Sequence, residues 1–147
     1  MNTMPGKPTK RAAIAIVDTY DTHVMMDKDW GHEQWIVNNE YYCGKLLFMN
    51  EGWQSSIHFH PVKTETMFVL DGVGMVELWE RGLEQEPTVL KLDPEYDTTV
   101  TIPAGLAHRF STPYGEDMVL VEFSMPHSEA DVVRIETSSK LPEVPGD

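Results

Sequence analysis

Residues Gly52–Gly72 read GWQSSIHFHPVKTETMFVLDG. His58 and His60 are separated by one residue, so in a β-strand both point to the same side. Gln54 and Ser56 are predicted to share that side. Pro61–Thr64 supplies a turn, and Glu65 opens the returning strand. A second stretch, Ile102–His108 (IPAGLAH, followed by Arg109), adds a third imidazole after a Pro-Ala-Gly turn. Two imidazoles on one strand, a carboxylate on the next and an imidazole from a distant strand make a four-ligand metal site. Mixed nitrogen and oxygen donors suit manganese, iron, cobalt, nickel or zinc. An octahedral ion there keeps two positions open. A lone His-x-His is commonly a surface or packing feature. The full pattern Gly-x5-His-x-His-x4-Glu-x6-Gly, however, arises by accident in about one chain of this length in ten thousand.

Around this stretch the chain alternates short runs of β-branched and aromatic residues with turn signals. Predicted strands include Gln34–Val37, Tyr41–Met49, Trp53–His60, Thr66–Leu70, Gly74–Trp79, Thr88–Leu92, Thr98–Ile102, Ala107–Ser111, Met118–Ser124 and Val132–Ile135. Asn38-Asn39, Asn50-Glu51-Gly52, Asp71-Gly72 and Pro113-Tyr114-Gly115 separate several of them. This predicts an all-β sandwich or small jelly-roll barrel. Residues 1–28 read as an N-terminal arm with a short strand over Ala12–Val17. Residues 29–137 form the barrel, and 138–147, with Pro142 and Pro145, a flexible tail.

The 147 residues suit one domain, and a hydrophobic content of 41% suits a packed core. A formal charge of −13, from 24 acids against 11 bases, repels phosphate backbones and anionic lipids, so neither nucleic acid nor membrane is an expected partner. The single cysteine, Cys43, excludes an intramolecular disulfide and fits a reducing, cytoplasmic setting.

The stretch from Gly52 through Gly72 resembles the first motif of the cupin superfamily. Pro103, Gly105 and His108 match the second. Asp97 stands where that motif usually opens with glycine, and Thr112 where it usually closes with asparagine. The resemblance implies a cupin-type jelly-roll barrel holding one divalent ion on His58, His60, Glu65 and His108. It also implies pairing into a homodimer.

Further residues narrow the chemistry. Lys63 sits between the second histidine and the glutamate, and Glu122 interrupts the apolar run Met118–Ser124 (MVLVEFS). A carboxylate on the face of Met118 and Leu120 is costly unless it works there. This combination resembles the cupin sugar isomerases, the D-lyxose isomerases above all. WGHEQW (Trp30–Trp35) and DVVRIE (Asp131–Glu136) resemble the cupin domain of type II phosphomannose isomerases. The resemblance implies a manganese-dependent aldose–ketose isomerase acting on a small sugar, with Glu122 and Lys63 catalytic. Gln54, Ser56, Arg134, Lys45 and His32 are candidate substrate contacts.

Each residue has a plainer alternative. Lys63 is otherwise a solvent-facing turn residue, and a one-residue slip in register turns Glu122 outward. Arg134 is otherwise a surface ion pair, and His32 a loop cap. Lys45 could serve either way, and His23 and His127 carry no assigned role. Three histidines and a glutamate also suit an iron dioxygenase, and a non-catalytic carbohydrate-binding cupin is a third reading.

Overall fold

The computed structural model describes residues 15–143. Thirteen strands run in order: β1 Val24–Lys28, β2 Gly31–Asn38, β3 Cys43–Met49, β4 Trp53–Gln54, β5 Ile57–Phe59, β6 Glu65–Asp71, β7 Gly74–Leu78, β8 Thr88–Leu92, β9 Thr99–Ile102, β10 His108–Ser111, β11 Met118–Ser124, β12 Val133–Glu136 and β13 Ser139–Lys140. One one-turn 3-10 segment precedes β1 and two more lie between strands, and the described residues contain no α-helix. One sheet has the order β1-β2-β3-β11-β6-β9. The other runs β12-β5-β10-β4-β13, with β7 paired to β10 and β8 to β7. Every ladder is antiparallel.

The two sheets enclose a core built by alternation. On β3, β6, β10 and β11 the inward side chains change from apolar to polar along the strand. Leu47, Met49, Met67, Val69, Phe110, Met118 and Leu120 fill the apolar part. Lys45, Glu65, His108 and Glu122, also buried, occupy the inward positions beyond them. One end of the barrel interior is therefore sealed by packing and the other is lined with functional groups.

The strand expected over Ala12–Val17 falls partly outside the described residues, and Ala15–Val17 are not in a strand. The chain first pairs at β1, where Val24–Lys28 lie against Gly31–Trp35. The tail after residue 137 is not wholly loose, because Ser139 and Lys140 pair with Gln54 and Trp53. No helix among the described residues is long and apolar enough to cross a membrane.

Candidate metal centre and cavity

His58 on β5, His60 just beyond it and His108 on β10 come together, with one ring nitrogen of each within 4.8 Å of the others. Pairing of β10 with β5 puts His108 opposite His58. Each Nδ1 has a carbonyl partner: Ser56 at 3.0 Å for His58, Asp131 at 2.8 Å for His60, Leu106 at 2.9 Å for His108. A ring that donates from Nδ1 presents the lone pair of Nε2, the form a metal requires. Burial, with His108 alongside, pushes His58 down to about 3. His60 is lowered too, chiefly by burial. Both rings are neutral at pH 7, as ligands must be.

Glu65 adjoins the three-histidine cluster. Its Oε1 lies 2.9 Å from His108 Nε2 and its Oε2 3.6 Å from His60 Nε2. Neighbouring donors on an ion with bonds of about 2.1 Å stand roughly 3.0–3.4 Å apart, and these two separations fall just to either side of that range. With His108 Nδ1 meeting Leu106 O, Nε2 and the Glu65 oxygen face each other across 2.9 Å, a contact that needs a proton or a metal cation between them. Glu65 Oε2 and His108 Nε2 are both fully buried and have no hydrogen-bond partner. Two orphaned donors in one buried cluster are what an ion would satisfy. Burial alone would raise the Glu65 carboxyl. His108, Lys63 and His60 outweigh it and hold the group well below the usual carboxylate range.

Beside the cluster opens a cavity of about 510 Å³. Lys63 and Glu122 both face inward, 2% and 3% exposed. Lys63 Nζ donates to Glu122 Oε2 at 3.1 Å and lies 3.4 Å from Glu65 Oε2. Ser124 Oγ donates to the same Glu122 oxygen at 2.7 Å. Burial disfavours the ammonium, but Glu122 and Glu65 outweigh it and raise the Lys63 pKa. Lys45, buried and aligned with Glu122 across β3 and β11, lies 3.5 Å from Glu33 Oε1 and 4.3 Å above the Trp35 ring. Ser56 lines the cavity. Arg134 lines it from β12, its guanidinium 3.7 Å from Glu129.

Two candidate substrate contacts lie elsewhere. The strand expected over Trp53–His60 breaks at Ser55-Ser56 into β4 and β5, which resets the alternation. Ser55 consequently lines the cavity, whereas Gln54 donates to Ser139 Oγ at 2.8 Å, away from the cavity lining. His32 points to the other side of β2 from Glu33 and stacks on Phe48 with ring centroids 4.5 Å apart. Conversely, His127 belongs to the site although no strand pattern marks it. It lies on the loop after β11, its Nδ1 3.1 Å from Lys63 Nζ. Cys43 is buried, and burial, reinforced by Glu122, raises its thiol pKa, which makes it a poor nucleophile.

No protein-family model matches the chain, and no curated protein matches it significantly in sequence. Solved structures do resemble it. The capsular polysaccharide assembling protein CapF of Staphylococcus aureus superposes with a TM-score of 0.65 at 18% identity, over 81% of this chain and 31% of CapF. Oxalate decarboxylase of Bacillus subtilis gives 0.67 at 13% identity, over 85% of this chain and 33% of the enzyme. An uncharacterized protein with a double-stranded β-helix domain from Klebsiella pneumoniae gives 0.61 at 15% identity, over 84% of this chain and 100% of that one. The chain thus spans about a third of the CapF and oxalate decarboxylase chains. At these identities the likeness is one of fold: the chain has the cupin-type, double-stranded β-helix barrel.

Proposed function

We propose that the chain is a metal-dependent isomerase of a small free sugar, interconverting an aldose and a ketose of the lyxose/xylulose or mannose/fructose type. One observation carries this reading. A buried ammonium, Lys63, bridges a carboxylate of the metal cluster, Glu65, and a second buried carboxylate, Glu122. An acid–base pair is thereby held beside the electrophile that the cluster would bind.

A divalent ion on His58, His60, His108 and Glu65 would supply Lewis-acid polarisation of neighbouring sugar oxygens, manganese being our first choice. The chain's own groups move the proton. Glu122 has Oε2 committed to Lys63 and Ser124, so Oε1 is the oxygen free to take a proton from C2 and return it to C1. Of the three Lys63 contacts, the 3.4 Å one to Glu65 is the longest. A sugar oxygen that replaced it would receive a hydrogen bond as negative charge develops there.

The lining favours a neutral substrate. Lys45, Lys63 and Arg134 already lie within 4 Å of carboxylates. Six carboxylates and four cationic side chains line the cavity, so one divalent ion brings the lining to neutrality. Of these four cations Lys28 alone has no carboxylate within 4 Å among the described residues, so a phosphorylated sugar or a dicarboxylate such as oxalate would find a single unpaired lysine, whereas a polyol needs none. The name of CapF, which refers to polysaccharide assembly, agrees with a carbohydrate. The test is to load the protein with manganese, supply a panel of free aldoses in heavy water and follow deuterium at C2. Exchange with at least one sugar is expected. Failure with all of them across manganese, iron, cobalt, nickel and zinc rejects the reading. Oxygen uptake by the iron-loaded protein would assign it to the dioxygenases instead.

A further inference from the structure

His58 and His108 are oriented by the segments that lead into their own strands, each Nδ1 meeting a carbonyl two residues earlier. His60 is different. Its carbonyl partner belongs to Asp131, 71 residues away, in the loop between β11 and β12. The same residue reaches back with its side chain. Asp131 Oδ1 accepts from Val62 N at 2.8 Å and Oδ2 from Lys63 N at 2.9 Å. Both oxygens of one carboxylate are thus committed to consecutive amides of the turn that separates His60 from Glu65.

The start of the same loop holds the far end of Lys63. An ammonium only donates, so His127 Nδ1, 3.1 Å from Lys63 Nζ, must be the acceptor. The ring proton is then on Nε2, which donates to Glu129 Oε1 at 3.0 Å. This tautomer is opposite to that of the three clustered histidines. Asn38, at the end of β2, holds the His127 backbone from both sides: its Nδ2 donates to His127 O at 3.1 Å and its Oδ1 accepts from His127 N at 2.9 Å. Met125 N donates to Thr64 O at 3.2 Å and joins the two loops at their other end.

We propose that residues 125–131 form a strap in which Asp131 and His127 are positioning residues: Asp131 aims His60 at the metal and fixes the Lys63 backbone, and His127 fixes the Lys63 ammonium. Neither need touch substrate. The strap explains how a lysine on a four-residue turn, where side chains ordinarily escape to solvent, stays buried beside two carboxylates. It also separates two effects. Asp131 acts on metal binding through His60, and His127 acts on Lys63 alone.

The inference rests on the proposed isomerase only where Lys63 is given a catalytic task, so its test reads the metal and the lysine directly. The full chain is titrated with cobalt(II), followed by visible absorption, and the Lys63 ammonium is observed by proton–nitrogen NMR. Asp131→Ala should weaken cobalt binding by about 10- to 100-fold and alter the absorption envelope. Asp131→Asn, which keeps one acceptor, should fall between that variant and the parent, and it decides the matter if the alanine variant does not fold. His127→Ala should leave cobalt affinity within about 2-fold of the parent, the change expected when no ligand or ligand partner is touched. It should nevertheless shift the Lys63 signal and speed its exchange with water. His127→Asn, whose amide oxygen takes the place of Nδ1, should restore that signal. Unchanged cobalt binding in both Asp131 variants, an unchanged Lys63 signal in His127→Ala, or a parent chain that takes up no cobalt would each overturn the strap. If the variants behave as stated but no aldose exchanges deuterium, the strap stands and the isomerase reading falls.

Discussion

Lys45 and Glu122 face each other directly across β3 and β11, yet they serve different partners. Lys45 turns to Glu33 and the face of Trp35, and Glu122 accepts from Lys63. The barrel interior therefore holds two separate charge groupings side by side, and only the second adjoins the histidine cluster.

Glu122 and Lys63 should be coupled in stability as well as in chemistry. Glu122→Ala leaves the buried Lys63 ammonium with Glu65 as its one carboxylate partner. Breaking a buried pair from one side costs about 3–5 kcal/mol; the remaining Glu65 contact places the expected loss at the lower end. Glu122→Gln retains an acceptor oxygen and should cost less, while reducing sugar-dependent exchange by at least about 100-fold if the carboxylate is the base. Urea denaturation and the heavy-water assay measure the two effects separately. Equal activity in Glu122→Gln and the parent would remove Glu122 from the chemistry.

Metal should stabilise the fold. An ion that binds the native chain but not the unfolded one adds about 2.7 kcal/mol at a hundredfold excess over Kd. Thermal melts with and without manganese, after chelation, should separate by several degrees. His108→Ala should abolish the difference. An identical separation in that variant would place the ion elsewhere.

Acid should weaken the metal-free protein. Burial pushes His58 from its ordinary 6.5 down to about 3, and it lowers His60 and His127 as well. Below about pH 6.5 the unfolded chain takes up protons at these rings while the native chain resists them. The unfolded state then binds more protons, so stability falls as pH drops from 6.5 towards 3 and is level above that range. Urea midpoints of chelated protein at pH 7, 6 and 5 should decline in that order. A flat series would contradict the burial of these rings.

The two glycines that frame the first motif should respond unequally to alanine. Gly52 and Gly72 both have positive φ, +76° and +74°. A Cβ at Gly52 meets open space, so Gly52→Ala costs only the left-handed conformation, about 1–2 kcal/mol. At Gly72 a Cβ would run into the Asp117 carbonyl, and the backbone must move as well. Gly72→Ala should therefore lower the urea midpoint by clearly more than Gly52→Ala. Equal losses would show that the β6–β7 turn yields freely.

Much of the barrel was legible because strand periodicity is a local property. Thr88–Leu92 and Met118–Ser124 match the expected strands residue for residue. The departures from the second motif are also intelligible. Asp97 takes the left-handed conformation, φ 48°, that the usual glycine would take, and aspartate tolerates it better than most residues. Thr112, where asparagine is usual, is fully buried and ties Asn50 to Trp53: its hydroxyl donates to Asn50 O at 2.6 Å and accepts from Trp53 N at 3.1 Å. The break at Ser55-Ser56 was not legible. Nothing in TrpGlnSerSer marks the lost alternation, and it is this break that carries Gln54 out of the cavity. β1 escaped notice because Val24–Lys28 mixes apolar and charged residues on an edge strand, where one side alone is paired.

From sequence alone came the barrel, three histidines and a glutamate at ligand spacing, and a carboxylate among apolar neighbours. Each of these is written in alternation and spacing over a few residues. The direction of Lys63, the recruitment of His127 and the dependence of His60 on Asp131 came only with the tertiary structure. Those relationships join residues 64 to 71 positions apart, and they arise because barrel closure brings the loop after β11 against the turn before β6.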